Sequence, residues 1–323
     1  MLRIHFTGDD LARVRVLREP DPMWELVLSL HVLQRKDVPP WLDQWQARLL
    51  ALSADSPVRA AIRFLAPLNP ASKYFPDFLT PAPSGGSPDT VIDDVLHTPA
   101  ARMRRELAIL SAHRPLPPWT TQLARGKADL VRALGKALRT YRETALAPWA
   151  GSLRAAVDAD RAVRARAFLE NGVDGLLASL RPTLTWEPPV LWADYPVEQT
   201  VHLDDRGLVL IPSFFCLRRP VTCADPALAP VLVYPVAHDP AVLGRDQGRT
   251  LGRLLGRTRA AVLELAEAGA TTGELARLAR ISPASASEHV GVLRAAGLVA
   301  SRRDANSVLH TVTPLGARLL QGS

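Results

Sequence analysis

The sequence predicts an α+β fold, and three stretches predict it. Between Met23 and Leu180 apolar residues recur three and four apart, the spacing of one helix face. From Arg181 to Ala237 this gives way to short alternating runs rich in Val, Trp and Tyr. The last 80 or so residues hold three short helical patterns and then two β-branched runs with arginines between them. The expected organisation is a mostly helical region with short strands over 1–240 and a second, compact domain over 241–323.

Taken in order, Leu2, Ile4 and Phe6 alternate with Arg3 and His5, and Val14, Val16 and Leu17 follow a Gly-Asp-Asp stretch, so the chain should open with a short β element. Helical patterns then run over Met23–Leu33, Trp41–Leu52 and Pro57–Leu65, separated by Pro39-Pro40 and a break at Ser53–Pro57. PAPSGGSP, 81–88, is a loop by composition. Helices are expected again over Thr90–Leu110, Thr120–Tyr141 and Ala145–Leu180. The segment LTWEPPVLWADYPVEQTVHLDDRGLVLIPSFF reads as short antiparallel strands, with Asp204-Asp205-Arg206-Gly207 as a turn between two of them. RRPVTC and PVLVYPVA extend that region. No period of 20 to 50 residues recurs, which argues against a repeat architecture.

With 323 residues, 47% hydrophobic and 22% charged, the chain can bury a substantial core. Its net charge of +7 favours an acidic partner, with nucleic acid, an anionic surface and an acidic ligand all open. Only four lysines stand beside the many arginines, so G+C-rich coding accounts for part of this basicity. Cys216 and Cys223 are too few for a disulfide framework and lack the close companions of a zinc site, making a reducing cytoplasm the expected compartment. The N-terminus lacks a signal-peptide pattern, and no apolar run approaches the roughly 20 residues of a membrane span. There is no glycine-rich phosphate loop, no H-E-x-x-H and no G-x-S-x-G, and the histidines are scattered singly. Asp93-Asp94 and Asp204-Asp205 are neighbours that cannot face each other across a site. Neither catalysis, nor a cofactor, nor a metal is expected.

The C-terminal stretch carries the sharpest pattern. A first helix over Leu254–Ala268 has Leu254, Leu255, Ala261, Val262 and Leu265 on one face and stops at Gly269. Thr271 and Glu274 fit a capping box that opens TGELARLA. After a tight turn at Arg280-Ile281, Ser282 and Pro283 provide the cap and first position of a third helix. On that helix Ala286, Val290, Leu293 and Ala296 share the inward side, leaving Ser285, Ser287, Glu288 and His289 to project elsewhere. Small polar residues at the start of such a helix let the backbone approach a major groove. Two strands over 298–312, with Arg302 and Arg303 in the tip between them, read as a wing placed to reach phosphates. From Leu254 onward eight Arg stand against five acids.

This constellation, T-x-x-E-L-A-x-x-x-x-I-S-P-A-S-A-S-E-H-V-x-V-L-R-A-A-G-L-V-x-S-R-R, resembles the winged helix-turn-helix of ArsR-like bacterial transcriptional regulators over about Leu254 to Leu320. The preceding region looks like the long N-terminal part of some actinobacterial members. The resemblance implies a cytoplasmic, repressor-type dimer bound to double-stranded DNA, with 1–240 regulating and oligomerising and an unidentified small-molecule effector as a further partner. It places Thr272, Ser282, Ser285, Ser287, Glu288, His289, Arg294, Arg302, Arg303 and Asn306 at the DNA. Members often carry a basic or amide residue where Glu288 stands, and a wing-tip Gly and Arg where Ala305 and Asn306 stand. Glu288 could accept from cytosine N4 or stay solvated. The Cys motif of metal-sensing members is absent, since no Cys follows Cys223.

Alternatives stay open beside this reading. The C-terminal domain could be a protein-interaction or scaffold module that does not read DNA specifically, His289 a satisfied surface histidine, and Arg302-Arg303 a solvated hairpin edge. Gly244, Gly248, Gly252 and Gly256 recur every four residues, as a flexible linker or as a bare helix stripe for a packed or dimer contact. The aromatic residues are expected in the core rather than around an effector.

Overall fold

The computed structural model describes residues 1–72, 74–83, 86–237, 252, 254–267, 269–304 and 307–321, with the backbone alone at Gln44, Asp304, Ser307 and Gln321. The chain is α+β and divides into two compact units, Met1–His238 and Asp239–Ser323.

In the first unit, β1 (Leu2–His5) buries Leu2 and Ile4 as the alternation predicts. The Gly-Asp-Asp stretch, however, is a helical turn, α1 (Gly8–Ala12), so the opening is not one β element. A capping box causes this: Thr7 Oγ1 accepts from the Asp10 amide, and the Asp10 carboxylate accepts from the Thr7 amide at 2.9 Å. β2 (Arg15–Val16) then enters a different sheet from β1.

Helices follow: α2 (Pro22–Leu33), α3 (Pro40–Leu50), α4 (Pro57–Leu65), α5 (Pro88–Leu96), α6 (Ala100–His113), α7 (Trp119–Ala124), α8 (Ala128–Tyr141) and α9 (Ala150–Ala178). Asp21, Ser56 and Ser87 cap three of them just before a proline at N1, where its missing N–H costs no hydrogen bond. Two expected helices are each split. Thr90–Leu110 breaks ahead of Pro99, which disfavours a helical residue before it. Thr120–Tyr141 breaks at Gly126, whose φ of +74° no helix contains. The third, Ala145–Leu180, begins later, after a π-helical turn over Arg142–Leu146. It is interrupted at Asn171-Gly172.

The strands are β3 (Leu184–Glu187), β4 (Val190–Ala193), β5 (Gln199–His202), β6 (Val209–Ser213) and β7 (Val231–Pro235). One sheet has the order β3-β4-β1-β5, antiparallel except for the parallel β1–β5 pair. The other, β2-β6-β7, is wholly parallel, which corrects the antiparallel expectation. The Asp204–Gly207 turn does not close a hairpin. Asp204, Asp205 and Gly207 all have positive φ, and the turn carries the chain from β5 in one sheet to β6 in the other. A side chain at position 207 would collide with Arg13. RRPVTC contributes only the bridge Val221↔Val233. Leu2, Ile4, Leu177, Leu210 and Leu232 anchor a core around the sheets. Of the aromatics expected in the core, Trp24, Trp45, Phe75, Phe78 and Trp186 are buried, whereas Trp41, Tyr74, Trp119, Trp149 and Trp192 are only half-buried.

The second unit runs α10 (Arg257–Leu265), β8 (Ala270–Thr271), α11 (Thr272–Ala279), α12 (Pro283–Ala295), β9 (Val299–Asp304), β10 (Ser307–Val312) and α13 (Pro314–Gln321). Its antiparallel sheet has the order β8-β10-β9. Val262, Leu263, Leu275, Val290, Leu293 and Leu298 form the core. The first helix starts three residues later than expected, because Gly256 takes φ +84° as its N-cap; Leu254 is exposed rather than inward. That φ also ends the glycine stripe as a continuous helix face, while Gly244 and Gly248 lie outside the described residues. Ala296 follows the end of α12 and is exposed, so it does not extend the inward row.

Candidate nucleic-acid interface

The turn between α11 and α12 is set by a left-handed residue, Arg280 at φ +55°, after which the Ile281 amide donates to the Ala276 carbonyl at 2.9 Å. Ser282 then accepts from the Ser285 amide at 3.1 Å and Pro283 fills the first turn, so α12 begins sharply at the position the sequence predicts. Ala286, Val290 and Leu293 are buried, on the side that packs against α10 and α11.

The opposite side of α12 is open. Ala284, Ser287 and Glu288 are exposed, and a Cβ added at Gly291 would meet nothing within 4 Å. Ser285 and His289, one turn apart, are half-buried and joined by an Oγ···Nε2 hydrogen bond of 3.3 Å. Arg294 is exposed in the last turn. The first two turns therefore present small side chains, one carboxylate and one imidazole, beside a helix N-terminus whose dipole favours an anion.

Arg302 and Arg303 are both exposed, but they are strand residues, paired in register with Leu309 and Val308. The expectation that they form the tip is corrected: six-residue strands reach to Asp304 and from Ser307, leaving only 305–306 between them. Asn306 lies outside the described residues.

Two other candidates have hydroxyls engaged within the protein. Ser282 is the α12 cap. Thr272 Oγ1 lies 2.9 Å from His310 Nε2, while Ser301 Oγ lies 2.8 Å from His310 Nδ1. His310 is 5% exposed, and burial, aided by the Arg294 charge, holds its pKa below the usual imidazole value. A neutral ring donates from one nitrogen and accepts at the other, so it ties α11 to both strands of the wing. Glu274 is held below the usual carboxylate range by its hydrogen bonds with the backbone and side chain of Thr271.

Sequence reasoning missed two exposed cations, Arg277 and Arg280, at the end of α11 and in the turn. It located the turn, but a left-handed arginine carries none of the usual Gly or Asn signal. No group of three or more His, Cys, Asp or Glu that could hold a metal occurs among the described residues.

The model of a family described as a helix-turn-helix domain matches residues 254–302, from just before α10 into β9. The second unit carries a helix-turn-helix domain. No curated protein and no solved structure in the comparisons matches the chain. Among the described residues no helix is long and apolar enough to cross a membrane.

Proposed function

We propose that the protein is a sequence-specific, double-stranded-DNA-binding transcriptional regulator of ArsR-like type, acting without catalysis. The observation that carries this is the open face of α12, small-sided at its capped N-terminus and backed by an apolar row, within a helix-turn-helix domain. Ser287, Glu288 and the Ser285–His289 pair meet base edges in the major groove. Arg294, Arg302 and Arg303 contact phosphates, joined by Arg277 and Arg280. Ser282 and Thr272 act through position, one by starting α12 and the other by holding His310.

The protein binds as a repressor-type homodimer, because one winged domain reads too few base pairs to find a genomic site. Light scattering with footprinting tests this on a fragment the protein selects from genomic DNA. A dimer protecting an inverted repeat is expected, with affinity falling steeply in salt. A monomer protecting a single half-site would overturn the dimer, and a salt-independent complex would overturn phosphate contact by the wing.

A further inference from the structure

The first unit holds a cavity of about 480 Å³ formed by the segment before α2, α5, the π-helical turn and the start of α9. Such a volume falls within the ~300–1,000 Å³ of small-molecule sites. Leu17, Val91, Leu146 and Leu153 supply apolar walls.

Two lining residues are acidic and almost wholly buried, Asp21 at 4% and Glu25 at 1% exposure. Asp21 caps α2 through Oδ1 alone, which accepts from the Met23 and Trp24 amides at 3.0 and 2.9 Å. Its Oδ2 accepts from no donor among the described residues. Glu25, one turn on, accepts from the Phe214 and Phe215 amides at 2.8 and 3.0 Å and from the Ser213 hydroxyl at 3.1 Å. Like charges at this spacing repel, and neither carboxylate forms an ion pair among the described residues. Burial accordingly pushes Asp21 up to about 6 and Glu25 up to about 7.

The same lining holds three arginines. Arg142 pairs with Asp89 and Glu143, and Arg154 with Glu19. Arg18 is exposed and has no ion pair among the described residues. A bare cation would meet these arginines, and a bare anion would meet the two carboxylates. A ligand carrying both charges satisfies each set.

We propose that this cavity binds a small zwitterion with an apolar body, of the α-amino-acid class. Its ammonium donates to Asp21 Oδ2 beside Glu25, its carboxylate accepts from Arg18, and its side chain lies along Leu146 and Leu153. Binding concerns the first unit alone and is tested without DNA, so it stands or falls apart from the DNA reading.

Calorimetry and thermal-shift measurements on the full chain use L-leucine and L-phenylalanine as probes, with 3-methylbutylamine and 4-methylpentanoate as the single-charge counterparts of leucine. The amino acids should bind and raise the melting temperature, with each counterpart at least about tenfold weaker. Asp21→Asn keeps a good N-cap while removing the charge, so leucine affinity should fall at least about tenfold. Arg18→Ala, at an exposed position, should weaken leucine and leave the amine unaffected. No binding of either amino acid at millimolar concentration, equal binding of amine and amino acid, or unchanged affinity in Asp21→Asn would each overturn the proposal. Should Asp21→Asn unfold, the counterpart series on the unaltered protein and Arg18→Ala decide the matter.

Discussion

Polar side chains span very different sequence distances in the two units. In the first, buried carboxylates collect backbone donors from far along the chain: Glu25 from Phe214 and Phe215, Asp77 from Ala224 and Asp225, Asp10 from Gly207. In the second, most side chains close contacts three residues away: Thr271 with Glu274, Ser282 with Ser285, Thr313 with Gly316. His310 reaches furthest among the described residues of this unit, to Thr272 across 38 positions, and Thr313 also donates to the Gly297 carbonyl across 16. Local caps define where helices start, whereas remote carboxylates define which segments meet.

The contrast can be broken at its strongest point. Glu25→Ala leaves two buried amides and a hydroxyl without their acceptor, and should cost the first unit about 3 kcal/mol or more. All seven tryptophans lie before residue 193, so tryptophan fluorescence during denaturation follows this unit alone. Glu25→Gln retains an acceptor and should cost less.

His310→Ala is the corresponding test of the second unit, expected to lose about 2 kcal/mol by far-UV circular dichroism. Its pH dependence has a definite sign. Burial and Arg294 depress the folded pKa below the usual imidazole value of 6.5, so above that value both states are neutral and the full stability is present. As pH falls below 6.5 the unfolded state takes up the proton first, and the second unit loses stability until the folded pKa is passed. His310→Gln should remove this contribution. An unchanged acid slope would show that the bridge does not tie α11 to the wing.

Ser282→Ala should cost about 1 kcal/mol, the usual value of one N-cap, by shortening the start of α12. A larger loss would mean that the cap also holds the turn at Arg280.

The same division explains what was legible in the sequence. The capping boxes and prolines gave α11 and α12 their starts, and the inward row Ala286, Val290 and Leu293 fixed the exposed side of α12. Thr313-Pro314 is the same cap-plus-proline signal as Ser282-Pro283, so α13 was legible in principle. Its close seat on Leu298, permitted by Gly316, was not. In the first unit the helices were visible, but Gly126 and Pro99 divided them. The parallel β2-β6-β7 sheet joins segments nearly 200 residues apart, and no local alternation encodes the direction of such a pairing. The Asp21–Glu25 cavity is not legible in the sequence for the same reason, since two acids in an apolar helix do not encode what surrounds them.

The central claim is that α12 reads bases while the arginines hold the backbone, and selection of bound genomic fragments tests it most directly. The unaltered protein should enrich a discrete site. Ser285→Ala and Ser287→Ala should shift which bases are preferred. Arg302→Ala and Arg303→Ala should keep the site but weaken specific and random DNA alike, lowering the salt slope by about one each. Failure to enrich any site, or identical losses on specific and random DNA for all four variants, would contradict the account.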